Sequence, residues 1–178
     1  MMPQLRLIRG MDRNRTTFGG IVIAAEPYRR PPFQVDAVVA EEDSYMVLSA
    51  GPQFHETADH PVRILTAAFT ARPVQPGSVV VKHGFPAMIY AIVHDLDREP
   101  TWKEEWVSSA FRAIVREAAG HGFQSVALPM LGTVHGTLLP RRSALLLRRV
   151  LEKNPPVTLK RLWLIVPDYN ACEFLDVF

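Results

Sequence analysis

Apolar residues in this chain fall into short runs of β-type side chains that alternate, in the second half, with longer stretches of helical period. Val126, Ala127 and Leu128 form a run suited to a strand buried on both faces. Pro129 follows, and it has no N–H to offer a central ladder. Val107, Ala110, Phe111, Ile114 and Ala118 line one face of a helix predicted from Trp102 to Ala119, which Gly120-His121-Gly122 closes. A second helix is predicted from Pro140, where proline suits the first turn, to about Lys153, with Asn154-Pro155-Pro156 ending it. Strands are expected at Val35–Ala40, Ser78–Lys82, Met88–His94, Gln124–Leu128 and Leu162–Val166, with Gly84-Phe85-Pro86 as the turn between the second and third.

The first half is less regular. Leu5–Ile8 and Thr16–Ala25 read as two strands of a leading hairpin over 1–25, with Gly19-Gly20 as a bulge or bend inside the second. Glu26-Pro27 ends it, and Tyr28 to Pro32 is a stiff connector. Met46–Asp59 contains the turn chemistry of Ser49-Ala50-Gly51-Pro52. From Pro61 the pattern becomes helical, with Val62, Leu65, Ala68 and Phe69 at core spacing. The last residues, Ala171–Phe178, suit a short helix.

Strands alternating with helices imply parallel crossovers, so the expected fold is α/β: a three-layer α/β/α sandwich around a mixed, largely parallel sheet, with an extra hairpin at one side. A length of 178 residues suits a single domain over 1–178 with a sizeable core. Composition changes this picture little. A net charge of +2 without a dense basic run argues against nucleic acid. No apolar stretch reaches membrane-spanning length, and the lone Cys172, which has no partner for an internal disulfide, fits the cytoplasm.

In open sheets of this kind ligands sit beyond the carboxyl ends of the strands, which directs attention to the loops after Val35–Ala40, Met88–His94 and Gln124–Leu128. The last of these, Leu131-Gly132-Thr133-Val134-His135-Gly136-Thr137, is a glycine loop between a strand and a helix. Such a loop can aim backbone N–H groups and a helix N-terminus at phosphate oxygens, or simply serve as a tight βα turn. His135 is a candidate general acid or phosphate contact. The acidic run Glu41-Glu42-Asp43 reads as a solvated loop, since three adjacent carboxylates without histidine at ligand spacing make a poor metal cage. His94 and Asp95 close a strand at the ligand end, where packing or capping competes with chemistry. No cofactor or metal is implied.

The order of these pieces resembles the macro domain, an α/β/α module that binds ADP-ribose and related nucleotides. Val35-Asp36-Ala37-Val38-Val39 is similar to the family's "VDAIVNAAN" strand, and Ser125 to Thr133 is similar to its "IAFP" strand running into a diphosphate loop of the form "LGTGxxG". Ile92-Val93-His94 resembles the "VIH" strand. The resemblance runs from about Gly20 to Val177 and is strongest at 35–40 and 123–140. It departs where "NAAN" is replaced by Ala40-Glu41-Glu42-Asp43, where the following glycine-rich stretch shrinks to Ser49-Ala50-Gly51-Pro52, and where Val134 replaces a glycine and resists positive φ.

The resemblance implies an ADP-ribose-type nucleotide, or an ADP-ribosylated protein, as the partner. The implied ligand contacts are Glu26 (in the place of an adenine-binding aspartate, with Asp12 as the alternative), Ala40, Gly51, Gly132, Thr133, Val134, His135, Gly136 and Thr137. It also implies an alternative, hydrolysis of an ADP-ribosyl bond or release of phosphate from ADP-ribose 1''-phosphate. Glu41, Glu42, Asp43 and His135 are the local candidates for its base or acid, and the altered "NAAN" stretch puts that activity in question. A fold kept for protein contacts, without a nucleotide site, is the third expectation.

Overall fold

The computed structural model describes residues 14–48, 72–167 and 172–178, and these form a mixed sheet of seven strands with helices. The strands are β1 (Arg15–Phe18), β2 (Ile21–Glu26), β3 (Ala37–Asp43), β4 (Val79–Lys82), β5 (Ala87–His94), β6 (Ser125–Pro129) and β7 (Arg161–Ile165). The helices are α1 (Glu104–Gly120), α2 (Pro140–Lys153) and the short α3 (Cys172–Leu175). Strand order across the sheet is β1-β2-β7-β6-β3-β5-β4. The five central strands are parallel, and β1 and β4 close the two edges in antiparallel pairs.

One face of the sheet and the described helices share a continuous apolar core. Ile23 and Ala25 of β2, Val39 of β3, Ile89, Ala91 and Val93 of β5, and Leu128 of β6 alternate inward with the period-two spacing of strands. Phe111 and Ile114 of α1 and Leu147 and Leu151 of α2 pack onto them at helical spacing. The entry to β3 is tied to β6 by Asp36. Its carboxylate accepts the backbone N–H groups of Gln124 (2.8 Å) and Ser125 (2.9 Å) and the Ser125 hydroxyl (2.9 Å). Burial alone would raise the Asp36 pKa. The three hydrogen bonds and nearby Arg161 outweigh it and hold the group below its ordinary value.

Most predicted elements are present with ends shifted by one to three residues, and α2 spans Pro140–Lys153 as expected. α1 starts at Glu104 rather than Trp102, which instead bridges His94. Thr16–Ala25 is not one strand but a complete hairpin. Gly19 (φ 55°) and Gly20 (φ 83°) form a two-residue turn, so Phe18 faces Ile21. Positive φ at both positions needs residues without a Cβ penalty, which is why two glycines make a turn here rather than a bulge. Pro129 ends β6, as its missing N–H predicts. It lies in register with Ile165. The expectations for Leu5–Ile8, for Asp12, for Ser49 to Pro52 including Gly51, for the helix from Pro61, and for the Cys172 side chain fall outside the described residues.

Candidate ligand site at the strand ends

The connections that leave β3 and β6 run in opposite directions across the sheet: α2 carries the chain from β6 to β7 on one side, while β3 leads towards β4 and β5 on the other. Adjacent strands whose connections diverge leave a crevice at their carboxyl ends, the usual ligand position in such sheets. The residues around it are the end of β3, the loop 130–138 after β6, and the end of β5.

The acidic run is part of that crevice and is not a solvated loop. β3 continues through Glu41, Glu42 and Asp43, which are 8%, 0% and 0% exposed. Carboxylates are rarely buried unless their oxygens are paired, and these are. Glu42 Oε2 accepts the N–H groups of Asp43 and Leu48, each at 3.1 Å. Asp43 accepts those of Tyr45 (2.6 Å), Val47 (3.0 Å) and Leu48 (2.9 Å), folding the chain after β3 around its side chain. The Tyr45 hydroxyl donates to Asp97 beyond β5, and that bond, first, raises the phenol's pKa.

Glu41 reaches across the crevice. One carboxylate oxygen lies 2.6 Å from His94 Nε2 on β5, and the other accepts the Gly132 N–H at 2.8 Å. The tautomer with its proton on Nε2 donates this bond to the Glu41 carboxyl. The His135 ring, from the loop, meets the His94 ring edge-to-face at 6.1 Å. A carboxylate, a buried imidazole, an exposed imidazole and a loop amide are thus gathered in one cluster. The Ser44 hydroxyl, buried beside His94 in the chain after β3, has no hydrogen-bond partner among the described residues.

The loop is held from inside. The Thr133 N–H and hydroxyl both donate to the Met130 carbonyl (3.2 and 2.7 Å), Leu138 N–H donates to the Gly132 carbonyl (3.1 Å), and the Ser143 hydroxyl donates to the Leu131 carbonyl (2.9 Å). Gly132 has φ 79°, which a side chain would strain. Val134 does not need positive φ: among the described non-glycine residues Met46 alone adopts it. Val134, His135 and Thr137 face outward, and the N–H groups of residues 134–137 have no protein acceptor among the described residues. Leu138 and the N-cap Leu139 separate them from Pro140, which opens α2.

The remaining expected contacts spread along the same edge. Glu26 ends β2, with its carboxylate accepting from Asn14 Nδ2 at 2.9 Å and its carbonyl accepting from Trp163 Nε1 at 2.8 Å. Tyr28, exposed, stacks on Trp163 at 6.2 Å. Ala40 is buried within β3. The structure therefore brings the loop residues 132–137 together with Glu41 and His94, while Glu26 stands two strands from β6 across β7. The Glu41–His94 pairing carries no local signal in the sequence: the two residues lie 53 positions apart, and each reads separately as a solvated acid and a strand-end histidine. Among the described residues no group of three potential ligands could hold a metal ion, and no helix is long and apolar enough to cross a membrane.

No family model matches the sequence, and no curated protein matches it. Solved structures do match. The Oceanobacillus iheyensis macrodomain with ADP superposes with a TM-score of 0.68 at 12% identity, over 91% of this chain and 92% of that one. A variant of the same macrodomain with ADPR gives 0.68 at 11% identity, over 91% and 94%. The macrodomain of Thermus aquaticus DarG gives 0.59 at 18% identity, over 82% and 98%.

Proposed function

From the macrodomain fold that this chain shares with those structures, we propose that it binds an adenine nucleotide of the ADP-ribose type in the crevice between β3 and β6. The observation that carries this reading is the run of four backbone N–H groups, residues 134–137, without protein acceptors among the described residues, with the N-terminus of α2 opening two residues beyond it. Successive amides of this kind form a concave donor set for phosphate oxygens, and the helix end adds a favourable field. Gly132 contributes its backbone conformation to the cradle, because its own N–H is taken by Glu41. His135 and the Thr137 hydroxyl stand at the rim as further donors. Glu26 serves the adenine amino group. It lies two strand spacings from β6, roughly 10 Å, a reach that an extended nucleoside diphosphate covers. Ala40, within β3, is a further expected contact; Gly51 lies outside the described residues.

The ligand is free ADP-ribose or the same group carried on a protein. The carboxylates of Glu42 and Asp43, candidates for a catalytic base, are occupied by backbone N–H groups, and no observation favours turnover. Calorimetric titration with ADP-ribose, with AMP and ribose 5-phosphate as controls, tests the proposal. Saturable one-to-one binding tighter than either fragment supports it. No heat at millimolar ligand, with an unchanged Tm, refutes it and leaves a fold used for protein contacts.

A further inference from the structure

Glu41 is an unusual neighbour for a phosphate-binding loop. Its carboxylate is buried, crosses the crevice between β3 and β6, and satisfies the Gly132 amide at 2.8 Å, as an anionic ligand would. Two further buried acids, Glu42 and Asp43, follow it, and Asp95 lies beyond β5 with Arg98 on its carboxylate at 2.9 Å. Among the described residues His94 is the one group in contact with Glu41 that can carry a positive charge. His135 is the next imidazole out, and the Arg142 guanidinium is already paired with Glu104. A buried negative charge acts through protein rather than water, so its field extends past the Gly132 amide to the exposed residues of the same loop.

We propose that Glu41 is the specificity-determining residue of this site: its carboxylate is a built-in anion against the inner side of the loop, which penalises ligands by the charge they place on residues 134–137, and His94 offsets that penalty. The inference rests on the reading that this loop receives phosphate. It makes the protein more dependent on the nucleoside part of its ligand than an uncharged site would be, and it assigns a role to the acidic residues that replace the "NAAN" stretch. The effect is electrostatic, so it separates charged from uncharged ligands that share the same nucleoside.

The test compares wild type with Glu41→Gln and His94→Gln, each titrated with ADP-ribose, AMP and adenosine at low and at moderate salt. Glu41→Gln keeps an acceptor for the Gly132 N–H and removes the charge. It is expected to tighten ADP-ribose and AMP by roughly tenfold at low salt, the size expected of one charge several ångströms away in partly solvated protein. Adenosine affinity should move by less than about twofold. His94→Gln keeps a donor towards Glu41 and removes the ring that can carry a positive charge, so it should weaken the two phosphate ligands and spare adenosine. Structural damage would instead weaken all three ligands in both variants. Changes of the same sign in the two variants, or an unchanged ratio of ADP-ribose to adenosine affinity, overturn the inference while wild-type binding of ADP-ribose leaves the proposed function standing. Absence of ADP-ribose binding in wild type and both variants removes the function and this inference together.

Discussion

Gly136 lies against the carbonyl oxygen of Gly132: a Cβ built on Gly136 would stand 2.4 Å from that oxygen and 3.2 Å from the Trp102 ring. The Gly132 carbonyl is itself fixed by the Leu138 N–H, so the obstructing atom is backbone and cannot swing aside. Gly136→Ala is therefore expected to displace the loop and disperse the amides of residues 134–137. ADP-ribose affinity should fall at least about tenfold, with a loss of stability on the order of 1–3 kcal/mol from overpacking. Calorimetry and thermal melting read the two effects separately. Unchanged affinity in a folded Gly136→Ala protein would remove the loop from the binding site.

Asp36 gives the fold a pH dependence whose sign follows from its depressed pKa. Three donors stabilise its ionised form in the folded chain, so the native state binds the proton more weakly than the unfolded state does. The stabilisation is complete above the unfolded value of about 3.9 and is lost as pH falls through the lower folded value. Asp36→Ala should cost about 1–3 kcal/mol at pH 7, because the Gln124 and Ser125 donors lose their acceptor. The difference between wild type and variant should shrink steadily below about pH 4. Urea midpoints across pH 2.5 to 7 (about five points) would show it, and a gap that does not narrow with acid would contradict the role given to Asp36.

Arg142 forms two parallel hydrogen bonds to Glu104, at 2.9 and 2.8 Å, joining the start of α2 to the start of α1. The Arg142 bond is the main cause that lowers the Glu104 pKa. Both side chains are more than a third exposed, so water and salt screen the pair and little stability depends on it. Arg142→Lys should lower Tm by no more than about 1–2 °C and leave ADP-ribose affinity within about twofold. A larger loss of affinity would mean that this guanidinium contributes to the phosphate site rather than to helix docking.

How much of this was legible in the sequence varied with how local the signal was. α2 was readable to the residue because Pro140 at its first turn and Asn154-Pro155-Pro156 at its end are both local signals. The Gly19-Gly20 turn carried a local signal too, since two glycines between β-type runs mark a two-residue hairpin. The acidic end of β3 carried none. Charged residues are depleted in strands, and what pays for burying Glu41 is His94 and Gly132, 53 and 91 positions away. The same distance hid the site's electrostatics: the loop's shape was readable from its glycines, but the buried carboxylate beneath it was not.

Asp43 decides between a structural and a catalytic use of the acidic run. It is fully buried, and the three N–H groups of Tyr45, Val47 and Leu48 converge on its two oxygens. Removing such an acceptor leaves the partly buried Tyr45 and Val47 donors unpaired, while Leu48 keeps Glu42, so Asp43→Ala should destabilise the protein by about 1–3 kcal/mol. Asp43→Asn, which keeps one carbonyl acceptor but introduces an NH2 beside backbone donors, should cost less and still lower the urea midpoint. If the carboxylate were instead a base for hydrolysis, Asp43→Asn would keep its stability and lose turnover of a mono-ADP-ribosylated protein. Urea unfolding and a turnover assay on the same variant separate the two. A stable, ligand-binding and inactive Asp43→Asn paired with an active wild type would establish catalysis, whereas a destabilised variant of a wild type that binds without turnover fits the structure described here.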